Sequence, residues 1–129
     1  MKKMNIVSLL LGMVQTNCYL LQNQETKEVL IVDPADAADR IQQKLREMGG
    51  RAAAILLTHG HFDHMLAADA LRREFSIEIC AGLAERELLG NPSYNLSAVW
   101  SRPVTLEADR YLTDGQILSL AGFSVQVIA

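Results

Sequence analysis

The chain lacks the features that mark several broad classes of protein. It has no basic run: 12 lysines and arginines face 15 acidic residues, for a formal charge of −3. A nucleic-acid surface needs clustered positive charge, and a polybasic anchor needs a block of Lys or Arg beside a membrane, so neither partner is expected. Nor is there an apolar stretch near the roughly 20 residues that a spanning helix requires. The N-terminal residues Lys2 and Lys3 followed by "NIVSLLLGMV" mimic a short signal peptide, but Asn5 and Ser8 interrupt the run and no A-x-A-like cleavage site follows. A first strand explains the same residues, and the expected location is the cytoplasm. Cysteine is scarce too. Cys18 and Cys80 have no metal-type spacing, and reduced, buried thiols are expected rather than a disulfide. Internal repeats and low-complexity linkers are absent.

Apolar bulk is what the chain does have. Half of its 129 residues are hydrophobic, ample for a packed core and, at this length, for one domain over 1–129. Residues 4–11, 16–22 ("TNCYLLQ") and 27–33 ("KEVLIVD") read as strands, the last two joined by "NQET" and the third ended by Asp33-Pro34. From Ala37 to Met48 the period becomes helical, with Ile41, Leu45 and Met48 on one face, Asp36 as N-cap and Gly49-Gly50 as the stop. Arg40, Lys44 and Arg46 form its solvated side. "AAAILLT" (52–58) is a continuously apolar strand of the kind buried on both faces. A helix from near His64 to about Phe75, a strand at 77–81, a short helix at 83–89 and a loop at 90–103 follow. "DGQILSLAGFSVQVIA" reads as a hairpin turning at Ala121-Gly122. Strands alternating with helices predict an α/β layered fold.

All three histidines fall within six positions: His59, His61 and His64, with Asp63 among them. Clustered imidazoles repel when protonated and are costly to bury without partners, so chance is a poor account and metal binding a good one. Side chains two apart in extended chain point the same way, so His59 and His61 can close on one ion. Gly60 leaves the backbone between them free to bend. Asp63 and His64, past the turn, can reach a second ion. Imidazole with carboxylate favours zinc, with iron or manganese as alternatives. A paired site of this kind suits hydrolysis. A purely structural zinc fits less well, because no cysteine joins the set and the run stands at a strand's end, where α/β folds place chemistry.

"THGHFDH" (58–64) resembles the signature of the metallo-β-lactamase superfamily. "TNCYLL" (16–21), "VDPAD" (32–36) and "YLTDGQILSLAGFSVQVIA" (111–129) are similar to its glyoxalase II-like hydrolases. The resemblance implies an αββα sandwich, of which this chain supplies mainly the first sheet and its flanking helices. It implies two metal ions, with His59 and His61 on the first, Asp63 and His64 on the second, and Asp63 also counted in the catalytic machinery. Asp33 matches an acidic position beside the site and is read as orienting a ligand, with a cap or turn role as the alternative. Relatives of this type cleave thioesters, a metal-activated hydroxide attacking the carbonyl, so a small-molecule thioester is the expected substrate.

Departures from the pattern narrow the reading. Leu66-Ala67 stand where glyoxalase II proper has paired glycines, so the substrate need not be the glutathione conjugate. Position 61 is histidine rather than the glutamate of the flavodiiron branch, which disfavours an oxygen-reducing role. The later ligands of the resembled family, two histidines and a bridging aspartate, have no counterpart after the "SVQVIA" strand. The chain is therefore read as an incomplete domain, weak or inactive alone. Either a missing C-terminal half or a homodimer completes it, and the hairpin and the "TNCYLLQ" strand are expected to expose an apolar face. A phosphodiesterase or nuclease of the same superfamily, and a non-catalytic metal-binding or interaction fragment, are the alternatives. Tyr94, Asn95 and Trp100 are candidates either to line a substrate mouth or to pack the loop.

Overall fold

The computed structural model describes residues 4–11, 16–34, 37–58, 67–90, 106 and 108–127. An antiparallel meander opens the chain: β1 (Met4–Leu11), β2 (Thr16–Asn23) and β3 (Glu28–Val32). Three strands then extend the sheet in parallel: β4 (Arg51–Leu57), β5 (Glu78–Gly82) and β6 (Arg110–Leu112), giving the order β1-β2-β3-β4-β5-β6. Parallel neighbours need a crossover. The helix α1 (Ala38–Met48) joins β3 to β4, and α2 (Ala68–Phe75) lies between β4 and β5. A 3-10 turn at Leu83–Glu85 runs into the short α3 (Arg86–Gly90). The last two strands, β7 (Ile117–Leu120) and β8 (Phe123–Gln126), form a separate antiparallel sheet.

Register explains the core. Val7, Leu20, Ile31, Ile55 and Ile79 pair in turn across β1 to β5, so a single row of branched side chains lines one face. Ile41 and Leu45 of α1 and Leu71 of α2 close over that face, together with Leu89 and Leu106. On the other face Leu30, Val32, Ala54, Cys80 and Leu112 are covered by Leu120 and Ala121, with Leu118, Phe123 and Val125 packed around them. The β7–β8 hairpin therefore turns its apolar side inward, contrary to the expectation that it exposes one. Among the described residues the β1–β2 part of this face does stay exposed, at Met4, Ile6, Leu10 and Tyr19 of "TNCYLLQ", and Ile117 on the outer side of β7 is exposed as well.

The turn of the hairpin is pinned. Asn23, fully buried, donates from Nδ2 to the carbonyl of Ala121 at 3.3 Å and accepts the amides of Glu25 and Thr26 on Oδ1. Gly122 sits against it at φ 78, and a Cβ there would meet Asn23 Nδ2 at 2.6 Å. Only glycine fits both the backbone angle and the space.

Three boundaries differ from those the sequence suggests. Asp36 is not the N-cap of α1: Ala37 holds that place, in a left-handed conformation at φ 54, with no side-chain cap. The second helix begins at Ala68, not near His64, with Ala67 as its N-cap residue. The strand β6 is new, a three-residue element too short for alternation to reveal. The stop of α1 is as expected, with Gly49 at φ 65 and its amide on the carbonyl of Arg46. No helix among the described residues is long and apolar enough to cross a membrane.

Candidate metal centre

Parallel pairing brings the carboxyl ends of β3, β4, β5 and β6 to one edge of the sheet. Open α/β sheets bind ligands beyond such an edge. The residue after β3 is Asp33 and the residue after β4 is Thr58, so the histidine run begins where β4 leaves the sheet. His59, His61, Asp63 and His64 themselves lie outside the described residues, as do Tyr94, Asn95 and Trp100. What the structure gives is the frame around the run.

Asp33 is the centre of that frame. It is only 5% exposed and adopts φ 53, which non-glycine residues rarely take unless their surroundings hold them there. Its amide donates to the carbonyl of Leu56 at 2.9 Å. One carboxylate oxygen accepts the Thr58 amide at 2.7 Å, and the other accepts the Thr58 hydroxyl at 2.5 Å. A buried carboxylate needs such donors, because desolvation without them is costly. Both oxygens are thus engaged by the residue that precedes His59. At the other end of the run, the amide of Ala67 donates to the carbonyl of Pro34 at 2.9 Å.

The two thiols have no place in this chemistry. Both are free and buried, as expected. Burial, reinforced by the negative charge of Asp33, pushes the Cys18 thiol up to about 12. Burial first, then the charge of Glu78, pushes Cys80 up to about 11, and its Sγ lies 3.8 Å from Glu78 Oε1. Metal ligation and nucleophilic attack both use the thiolate, and these environments disfavour it. Among the described residues no group of three or more His, Cys, Asp or Glu can hold a metal ion. The donor set that fits a divalent ion is the run itself, three imidazoles and a carboxylate in six positions.

Sequence reasoning singled out Asp33 but not its partner Thr58, nor the pairing of Pro34 with Ala67. The signal for Thr58 was available: a hydroxyl residue directly before the first histidine, at the end of an apolar strand. No sequence feature announced the bond from Ala67, because it is made by backbone atoms only.

Residues 11–125 match the metallo-β-lactamase superfamily, and the chain belongs to it. Some of the relatives are hydrolases by name. The chain is 31% identical to the hydroxyacylglutathione hydrolase GloC of Haemophilus influenzae over 131 residues, covering 97% of this chain and 60% of that one. It is 32% identical to the probable polyketide biosynthesis zinc-dependent hydrolase BaeB of Bacillus velezensis, covering 86% of this chain and 44% of that one. Among solved structures, the B3 metallo-β-lactamase BLEG-1 superposes with a TM-score of 0.84 at 38% identity, over 93% of this chain and 58% of that one. The mixed α/β fold read from the sequence is thus the fold of the superfamily, whose members bind divalent metals such as zinc or iron. The chain spans 44–60% of the length of these curated relatives.

Proposed function

We propose that these residues form the metal-binding part of a binuclear hydrolase acting on a small-molecule thioester. The observation that supports the reading is the position of the H-x-H-x-D-H run in the sequence: it follows Thr58, which stands at the carboxyl edge of parallel strands and is held by a buried carboxylate. His59 and His61 would hold one ion, and Asp63 and His64 the other. Zinc is the preferred metal for imidazole and carboxylate donors, with iron and manganese as alternatives. When bound, such ions supply a nucleophile from water near neutral pH and stabilise charge developing on a carbonyl oxygen.

The chain's own residues do the positioning. Asp33 holds Thr58, and Asp63 is both a ligand and part of the catalytic machinery. Two protein ligands for each ion fall short of the three that a catalytic zinc typically has. Further ligands, from a second copy or from the additional length that the relatives carry, complete the site in this proposal. The 129 residues alone therefore hold metal weakly and hydrolyse little. The similarity to a hydroxyacylglutathione hydrolase supports a thioester over a phosphodiester, as does the acidic balance of charge.

Equilibrium titration of the protein with zinc, iron or manganese, followed by assay with a model thioester and a model phosphodiester, tests this. Zinc, iron or manganese bound in a manner abolished by His59→Ala, with hydrolysis of the thioester once the ligand set is complete, is the expected result. Preferential cleavage of the phosphodiester overturns the substrate class. Metal affinity unchanged in His59→Ala overturns the site.

A further inference from the structure

Past the carboxyl ends of β4, β5 and β6 the described residues leave a short path, and it ends on a guanidinium. Leu57, Ala81 and Tyr111 pair in a row across the three strands, so Thr58 and Gly82 come next, side by side at the edge. Neighbouring strands lie about 4.8 Å apart, which puts β6 roughly 10 Å from β4. Gly82 stands between them. Its backbone, at φ −62 and ψ 142, is one that any residue adopts, and a Cβ there would meet nothing within 4 Å among the described residues. Neither backbone angle nor described packing asks for glycine. A strand glycine without such a reason is one sign of a ligand passing close to the backbone. Leu83 follows it, 49% exposed, and offers an apolar side to the path.

The far end of the path is held in place. Arg86 opens α3, and its guanidinium carbon lies 5.5 Å from the centroid of the Tyr111 ring. Tyr111 is half-buried against the helix-side core, and its hydroxyl accepts the amide of Ala108 at 3.2 Å, so the ring is a fixed platform. Arg72, Arg73 and Arg110 are each paired with Asp69, Asp109 or Glu78. Arg86 is exposed and has no carboxylate partner among the described residues. A guanidinium stacked on a ring keeps its in-plane N–H donors for another group, and their fork fits a carboxylate with two parallel bonds. In a chain of formal charge −3 such a cation is what an anionic substrate needs. We infer that Arg86, held by Tyr111, anchors a carboxylate carried by the thioester at the end remote from the scissile bond, an inference that rests on the metal-hydrolase reading above. Arg86 thus sets specificity for anionic thioesters, and Tyr111 is a positioning residue. Binding energy from such a remote group holds the reacting carbonyl in place.

Two thioether probes that cannot be hydrolysed test the anchor without calling on activity: S-ethyl ω-mercaptohexanoate and its primary amide. Each is titrated into the full chain with zinc present and followed by NMR, beside a separate zinc titration. The wild type is expected to bind the carboxylate more tightly than the amide, with shifts at Arg86 and Tyr111. Arg86→Gln should weaken the carboxylate probe about tenfold, the scale of a hydrogen bond to a charged group, and leave the amide probe and the zinc affinity unchanged. Tyr111→Leu removes the platform and should weaken the carboxylate probe in the same way, whereas Tyr111→Phe keeps the ring and should retain affinity. A role in the core alone would not favour the carboxylate over the amide. Gly82→Val should weaken both probes by narrowing the path. Equal binding of the two probes by the wild type, or equal loss of both in Arg86→Gln, overturns the anchor and leaves the metal reading standing. A wild type that binds no zinc overturns the metal-hydrolase reading and the anchor's role with it.

Discussion

Ile55 and Ile6 are the same side chain in one sheet, and one is fully buried while the other is 61% exposed. They belong to opposite faces. The helix-facing side is an unbroken row from Val7 to Ile79, closed by α1 and α2 along its length. The other side starts its row at Ile6, open at β1, is partly covered at Leu21 and is buried from Leu30 onward, where the β7–β8 hairpin lies over it. Residue type does not separate the two faces, since both are apolar. What separates them is the length of the covering element: helices of 11 and 8 residues on one side, two strands of 4 on the other. Apolar alternation in a strand thus states that a face can be buried, and the neighbours decide whether it is.

The largest expected effect is on the helix-facing side. Ile55→Ala leaves a cavity among side chains packed from both helices and should lower unfolding free energy by about 2–5 kcal/mol in urea titration. A loss under about 1 kcal/mol would show that the row is loosely packed and would erase the contrast between the faces.

The cysteines probe the same contrast by pH, because Cys18 lies in the helix-side core and Cys80 in the hairpin-side one. A thiol in unfolded chain releases its proton near 9.0, while the folded protein holds the proton to about 12 at Cys18 and about 11 at Cys80. The unfolded state therefore binds fewer protons above pH 9, and stability falls as pH rises from there through the folded values. Cys18→Ala should flatten this alkaline decline more than Cys80→Ala does, as read from urea midpoints between pH 8 and the onset of alkaline unfolding. Equal flattening would mean that the two faces exclude water to the same degree.

The smallest effect belongs to the open part of the sheet. Ile6→Ser should change stability by no more than about 0.5 kcal/mol, as exposed substitutions generally do. A loss comparable to that of Ile55→Ala would show that β1 is covered in solution.

Much of this architecture was legible beforehand. The strand β3, the strand β4 and the helix α1 announced themselves through continuous apolar runs and a clean i, i+4 pair at Ile41 and Leu45, and Gly49 marked its stop. The failures have physical causes. Asp36 has the right chemistry for a cap, but the chain enters α1 through a left-handed Ala37, a backbone choice that no propensity records. The start of α2 was placed too early because apolar residues near His64 continue the helical period, whereas the amide of Ala67 is already committed to Pro34. The hairpin was expected to expose its apolar side because its pattern shows only that such a side exists. Of the candidate centre, the ligand run lies outside the described residues, and the importance of Asp33 was legible. Thr58 was visible as a hydroxyl residue before the first histidine, but its tie to Asp33 was not, since it depends on two strands 25 residues apart ending side by side.

The pin between Asn23 and Ala121 joins residues 98 positions apart, and this bears on the order in which the molecule can assemble. The β1–β2–β3 meander closes over short turns and needs little chain, so its pairing can precede everything else. The hairpin cannot reach its place on Leu30, Val32 and Ala54 until Phe123–Gln126 have been synthesised. During that interval the nascent sheet presents a greasy flank to water, and the side-chain amide of Asn23 waits for a partner made 98 residues later.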